Sequence, residues 1–433
     1  MPLRRSLVLL AVLLLGRVSA AAVHPPLVIT LESGLTVVTQ QDEASAISVL
    51  EILIKGGQRA EPPGREGLAY VATRLAMDIP DQRKVQNFMA KALHYSMTVR
   101  DDASVIRLEC LTEFFDEILG EFLQILTDPL INNIRLDRTK EFIDHRRRIE
   151  ADDAVNLGRL AHREAFFKGT GYDGSIFGTA ESLKEVKVRE ARDFYDRFFV
   201  PGNMVLVSVS NLADEEMQAL LARRFASLQA APRSPDAPTS LRAFQVNSPG
   251  PSPRVIEKQT QQNFIGAAFI LPATTPRLFV LSFLLENILG RGPGSRLWSL
   301  RSERKLAYNV GAVATPMREA GLFEAFLEAS PDKADEAREA LAEALREFHD
   351  RGITADELET GKTELKAFFL RSNERKTSRV STLSLMAASG VGAGLFASFA
   401  DELAAVTLEE ANAFIREHLD PAAASWVVVG PKK

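Results

Sequence analysis

The chain has 433 residues, with 52 Lys+Arg against 57 Asp+Glu and a formal net charge of −5. That length has room for roughly two to three domains of about 150 residues, and the 46% hydrophobic and 25% charged fractions exclude a disordered, collagen-like or membrane-bundle chain. The acidic balance argues against nucleic acid as a partner. A single cysteine, Cys110, excludes an internal disulfide and a cysteine-based zinc cluster, and no two histidines stand at His-x-x-x-His spacing.

In chain order, residues 1–20 read as a secretory signal peptide. Arg4 and Arg5 form the basic end, Ser6 to Gly16 the apolar stretch, and Val18-Ser19-Ala20 a small-residue cleavage site. The apolar core is short for a bilayer span, although an uncleaved N-terminal anchor is the competing reading. The expectation is an exported protein, periplasmic if bacterial, with no membrane span in the mature chain.

Residues 27–40 (LVITLESGLTVVTQ) and 47–57 (ISVLEILIKGG) read as a strand pair with Ser33-Gly34 suiting a hairpin turn. Helical periodicity follows near 64–77, 81–93 and 112–126, with a strand-like run at 96–111. Inside that run Asp101-Asp102 read as a turn and Cys110 as a small buried hydrophobe. The apolar spacing of FFDEILGEFLQIL marks core, and Arg146-Arg147-Arg148 a solvated helix face.

Prolines at 232, 235, 238, 249, 251 and 253 make residues 231–254 a linker, because proline fixes φ and lacks an amide donor. The flanking segments, 27–230 and 255–430, read as repeats. At a constant offset of 220, Leu183, Val186, Glu190, Ala191, Phe194, Pro201, Val207 and Val209 fall on Leu403, Val406, Glu410, Ala411, Phe414, Pro421, Val427 and Val429. Both stretches run helix, proline turn, β-branched strand. The second copy adds a strand at NFIGAAFILP, a helix near 276–289, a strand at AYNVGAVATP and a long helix near 331–350. The fold class is α+β: two tandem homologous domains, each a mainly antiparallel sheet covered by helices on one face.

The segment from Gly64 to Arg74 (GREGLAYVATR), preceded by Gly56-Gly57-Gln58-Arg59-Ala60-Glu61, resembles the pitrilysin/insulinase-type zinc peptidases, which include the mitochondrial processing peptidases. GTAESLKEVKVREARDFYDRFFVPGNMVLV and GSRLWSLRSERKLAYNVGA extend the resemblance over residues 27–430. In that family His, Glu and His at i, i+3 and i+4 bind zinc and activate its water. Here those positions hold Tyr70, Thr73 and Arg74, and a guanidinium repels a dication. The third ligand, a glutamate, corresponds to the neighbourhood His145-Arg146-Arg147. The resemblance therefore implies no zinc in this chain.

The second half keeps what the first has lost. The resemblance makes Arg301 and Tyr308 the family's pair that orients the peptide backbone and supports the oxyanion. Gly294 and Ser295 stand before them in a glycine-rich turn that lets a peptide approach. GRGPG lacks the Lys-Ser/Thr continuation of a phosphate loop. Two functions follow as expectations. In the first the chain is a non-catalytic subunit, with Arg301 and Tyr308 completing the site of a zinc-bearing paralogous partner that cleaves a peptide substrate. The alternative is an inert scaffold or peptide-binding protein of the same fold.

Overall fold

The computed structural model describes residues 24–79, 81–226, 228, 244–250 and 252–431. The signal-peptide reading, and residues 231–243 of the linker, lie outside them.

Strands β1 (Leu27–Thr30) and β2 (Thr36–Gln41) form an antiparallel hairpin, with Gly34 at φ 80° in its turn. The first half adds β3 (Ile47–Ile54), β4 (His94–Val99), β5 (Ser104–Leu111) and β6 (Met204–Ser210), in the sheet order β1-β2-β6-β3-β5-β4. Segments 27–40 and 47–57 are therefore not adjacent strands. β6, about 160 residues later, inserts between β2 and β3, parallel to the first and antiparallel to the second.

The second half carries β7 (Arg254–Glu257), β8 (Asn263–Leu271), β9 (Asn309–Pro316), β10 (Gly321–Ala329) and β11 (Ser425–Gly430), in the order β7-β11-β8-β10-β9. β11 runs parallel to β7 and antiparallel to β8. Val207 on β6 and Val427 on β11 thus occupy corresponding strands, and β1 is the strand without a counterpart. Arg254, the last residue of the proline-rich stretch, already belongs to β7.

Each sheet is covered on both faces, not one. Leu50, Ile52 and Ile54 of β3 pack with Leu68, Val71, Phe115 and Phe122 from helices Leu68–Ala76 and Thr112–Thr127 of their own half. Val49 and Leu53, pointing the other way, share a core with Val380 and Leu383 of helix Lys376–Ala388 from the second half. The second sheet reciprocates. Ile265, Phe323 and Leu327 face helices Pro276–Gly290 and Ala334–Arg351, while Phe264, Phe326, Val427 and Val429 meet Ala161 of helix Ala154–Phe167 from the first half. Burial on both faces explains why β3 and β8 are apolar almost without alternation.

Polar pairs pin the exchange of helices. Lys376 donates its Nζ to the carbonyls of Ser45 (2.6 Å) and Ile47 (3.0 Å), and Arg379 pairs with Asp42 at 2.9 Å. Arg159 pairs with the buried Glu324 at 3.0 Å. Among the described residues no helix is long and apolar enough to cross a membrane.

Candidate functional site

The helix Leu68–Ala76 is started by a side chain that the resemblance names but does not explain. The buried Glu61 carboxylate accepts hydrogen bonds from the backbone N–H of Gly67 (3.0 Å) and Ala69 (2.8 Å), two of the donors a helix start leaves open. Gly67 has φ 90°, and a Cβ there would come within 3.0 Å of the Phe177 backbone. The turn before the helix therefore requires glycine.

From this helix Tyr70, Thr73 and Arg74 project at the three positions where the resemblance puts ligands. Thr73 is fully buried and donates its hydroxyl back to the Ala69 carbonyl at 2.7 Å. The Tyr70 ring meets Phe177 edge-on, with centroids 5.0 Å apart. The Arg74 guanidinium lies 3.8 Å from the centroid of Phe142, on helix Asn133–Asp152. One turn further along that helix, Arg146 sits over Phe177 at 5.8 Å. Burial raises the Tyr70 phenol above its ordinary range, and the charges of Arg74 and Arg146 partly offset this.

In the neighbourhood His145-Arg146-Arg147 the side chains diverge. Arg146 is the residue whose charge reaches Tyr70, whereas Arg147 and Arg148 turn aside to pair with Asp144 at 2.9 and 2.5 Å. Tyr70, Thr73, Arg74 and Arg146 offer a phenol, a hydroxyl engaged with its own helix, and two permanent cations. Such a set does not fit zinc. Among the described residues no three His, Cys, Asp or Glu side chains form a group that could hold a metal ion.

Beside these positions opens a cavity of about 530 Å³ walled by Tyr70, Arg74, Tyr95, Arg135, Arg138 and Phe142. Arg301 and Tyr308 are not among its lining. They belong to the connection between helix Pro276–Gly290 and β9. There Gly292 (φ 73°) and Gly294 (φ 99°) bracket Pro293 in a turn, closed by the Ser295 N–H and hydroxyl donating to the Gly292 carbonyl at 3.2 and 2.7 Å. Ser295 is buried, so its hydroxyl holds the turn and Gly294 forms the outer rim.

The short helix Trp298–Ser302 then carries Arg301, whose guanidinium lies 4.8 Å from the Trp298 ring. Tyr308 is anchored through its backbone N–H to the Glu328 carbonyl at 2.8 Å, yet the residue is 75% exposed. Neither its hydroxyl nor the Arg301 guanidinium has a hydrogen-bond partner among the described residues.

A second cavity, of about 570 Å³, lies between the halves and was not legible in advance. Asp101-Asp102 do form the turn between β4 and β5, but they also span this seam. Asp101 pairs with Arg163. Asp102 accepts hydrogen bonds from the Tyr172 hydroxyl and from the Arg318 N–H (2.9 Å) of the other half. Burial pushes the Asp102 carboxyl up to about 6. Cys110 is buried, its thiol pushed up to about 12 by loss of solvent, which agrees with a packing role.

Residues 36–180 match the family model described as insulinase (peptidase family M16), and residues 185–365 match that of the peptidase M16 inactive domain. The Helicobacter pylori non-peptidase homolog YmxG is 21% identical over 409 residues, 93% of each chain. Bacillus subtilis YmxG, described as an uncharacterized zinc protease, is 22% identical across 90% of this chain and 94% of its own. Among solved structures, a peptidase M16 inactive domain from Pseudomonas fluorescens superposes with a TM-score of 0.84 at 20% identity, covering 95% of this chain and 98% of that one. A protease from Helicobacter pylori gives a TM-score of 0.84 at 17% identity, covering 94% and 99%. The chain belongs to the insulinase-type M16 peptidase family, as a member without a His-x-x-Glu-His motif in its sequence.

Proposed function

We propose that this protein is the non-catalytic subunit of a heteromeric zinc peptidase, exported and, if bacterial, periplasmic. It holds no zinc itself. Its part is to bind the peptide and to support the transition state with Arg301 and Tyr308, while the metal and its water belong to a paralogous partner.

The observation that carries this reading is the exposure of Tyr308. A 75% exposed tyrosine contributes little to its own fold, and its hydroxyl is free to donate to a carbonyl oxygen as negative charge develops there. The separation of this pair from the Tyr70 cavity also favours a site finished by another chain.

The test mixes the mature chain with a zinc-bearing paralogue from the same organism and measures peptide cleavage, with association followed separately. Loss of an oxyanion donor costs about 100- to 1000-fold in turnover, so Tyr308→Phe is expected to lower kcat by that order while assembly persists. Arg301→Ala is expected to weaken peptide binding as well. Full activity from an assembled Tyr308→Phe, Arg301→Ala double variant defeats the composite site and leaves the inert scaffold.

A further inference from the structure

The cavity beside Tyr70 is a concave site of unbalanced charge. Its lining holds three guanidinia, those of Arg74, Arg135 and Arg138, and a single carboxylate, Asp78, among the described residues. Asp78 is already paired with Arg135. Arg74 and Arg138 therefore face the same space with no carboxylate of this chain within ion-pair distance among the described residues.

Three features separate this from an ordinary solvated basic face. Arg74 is only partly exposed and its guanidinium is stacked on Phe142 at 3.8 Å. Stacking occupies the face of the planar group and leaves its N–H edge free, the edge that grips a carboxylate in bidentate fashion. Tyr70 lines the same cavity, its hydroxyl has no hydrogen-bond partner among the described residues, and burial keeps that hydroxyl protonated as a donor. The volume, about 530 Å³, lies within the range of small-ligand pockets. Paired cations in a concave wall attract an anion more strongly than either does on an open surface.

We propose that this cavity binds a carboxylate carried by a peptide, with Arg74 and Arg138 as its charged partners and Tyr70 as a further donor. Positive charge that a family enzyme supplies at these positions with a metal ion is supplied here by guanidinia, and it serves binding without hydrolysis. The peptide as carrier rests on the function proposed above, but the interaction involves this chain alone.

The experiment measures fluorescence anisotropy of four labelled octapeptides with the purified mature chain and no partner. The peptides combine an internal Glu or Gln with a C-terminal carboxylate or amide. A charge-assisted hydrogen bond is worth about tenfold or more in affinity. At least one carboxylate is therefore expected to tighten Kd about tenfold over its neutral match, and to lose most of that advantage in higher salt. The peptide pair that shows the gain names the source, side chain or C-terminus.

Arg74→Gln and Arg138→Gln are expected to erase the preference for the carboxylate over its neutral match. Arg74→Lys keeps the charge without the planar fork and retains part of it. Arg138 is exposed and Arg138→Gln leaves the fold intact, so that single variant decides the matter if the others unfold. Equal affinity for all four peptides, or a preference that survives in a folded Arg138→Gln protein, overturns the proposal. Tighter binding of a phosphoserine in place of Glu overturns the carboxylate assignment. None of these results bears on Tyr308, so the composite site stands or falls separately.

Discussion

Gly158 is a glycine in the middle of a helix, where alanine would ordinarily add about 1 kcal/mol of stability. Here the opposite sign is expected. A Cβ at this position would lie 2.1 Å from Cε1 and 2.3 Å from Cδ1 of Phe264, against an ordinary carbon–carbon contact of about 3.5–4.0 Å. The ring cannot swing away. It is fully buried, stacked on Phe326 at 6.1 Å between centroids, and a Cβ at Gly266 would stand 2.8 Å from its far atom Cζ. Overpacking of this kind costs about 1–3 kcal/mol, and an overlap of more than an ångström belongs at the upper end. Gly158→Ala is therefore expected to destabilise by about 1–2 kcal/mol net. The assay is urea unfolding followed by tryptophan fluorescence, because Trp298 and Trp426 both lie in the second half while Gly158 lies in the first. If helix Ala154–Phe167 ties the halves, a substitution in one must move the tryptophan transition of the other to lower urea. Phe264→Leu alone is also expected to destabilise, by about 1–2 kcal/mol, but the double variant should be less damaged than the sum because the clash is gone. An unchanged or raised midpoint for Gly158→Ala refutes the account of the seam.

Two further outcomes are expected. Asp102, with its carboxyl pushed up to about 6 from an ordinary value near 4, is protonated more readily in the folded state than in the unfolded one. Its stabilising effect is therefore complete below about pH 4 and is lost as pH rises through 6, so the wild type minus Asp102→Asn difference in unfolding free energy should fall by about 3 kcal/mol between pH 3.5 and pH 7.5. A flat difference in urea titrations would contradict the burial of this carboxyl in the seam. Separately, Tyr70→His, Thr73→Glu and Arg74→His combined with Arg146→Glu should bind one zinc per chain. Restoring Arg146 should weaken that affinity at least tenfold, measured by titration against a chelator, and equal affinity with and without Arg146→Glu would show that Arg146 is not the fourth position.

Much of the architecture was legible because local patterns and long-range pairing agree. The helix-turn-strand repeat at an offset of 220 led to β6 and β11, which the sheet orders place in corresponding positions. What misled was the assumption of one solvated face. β3 and β8 are apolar in both parities, the mark of burial on both sides, but nothing local says that helices Lys376–Ala388 and Ala154–Phe167 are the covers. They pack across more than 200 and more than 90 residues of chain respectively, and their own periodicity fits any apolar surface. Segments 27–40 and 47–57 are near in sequence and read as partners, yet pairing with β6 sets Val49 opposite Val209 and Leu53 opposite Val205. Such a choice is made by tertiary packing. The Asp101-Asp102 turn was legible as a turn, but its reach to Arg318 spans 216 residues and leaves no trace in local sequence.

The site was legible to a different degree for a chemical reason. Ligand types announce themselves, and so does their loss: Tyr70, Thr73 and Arg74 are unmistakable as non-ligands. What replaces a metal centre is harder to read, because the replacement is distributed. Removing a dication from between carboxylates would leave like charges facing one another in a partly buried site, a cost that grows as the dielectric falls. Exchanging the ligands for cations avoids that repulsion only if the cations are themselves spread and supported. Arg74 is supported by Phe142 and Arg146 by Phe177, and both aromatic rings lie far from the motif in sequence. The replacement therefore extends beyond the motif to the aromatic residues that hold the guanidinia apart. A single reversion such as Arg74→His would remove one cation while Arg146 still repels a metal. The loss of the metal is thus written in residues well outside the motif, and of them Tyr70, Arg74 and Phe142 border the cavity beside it.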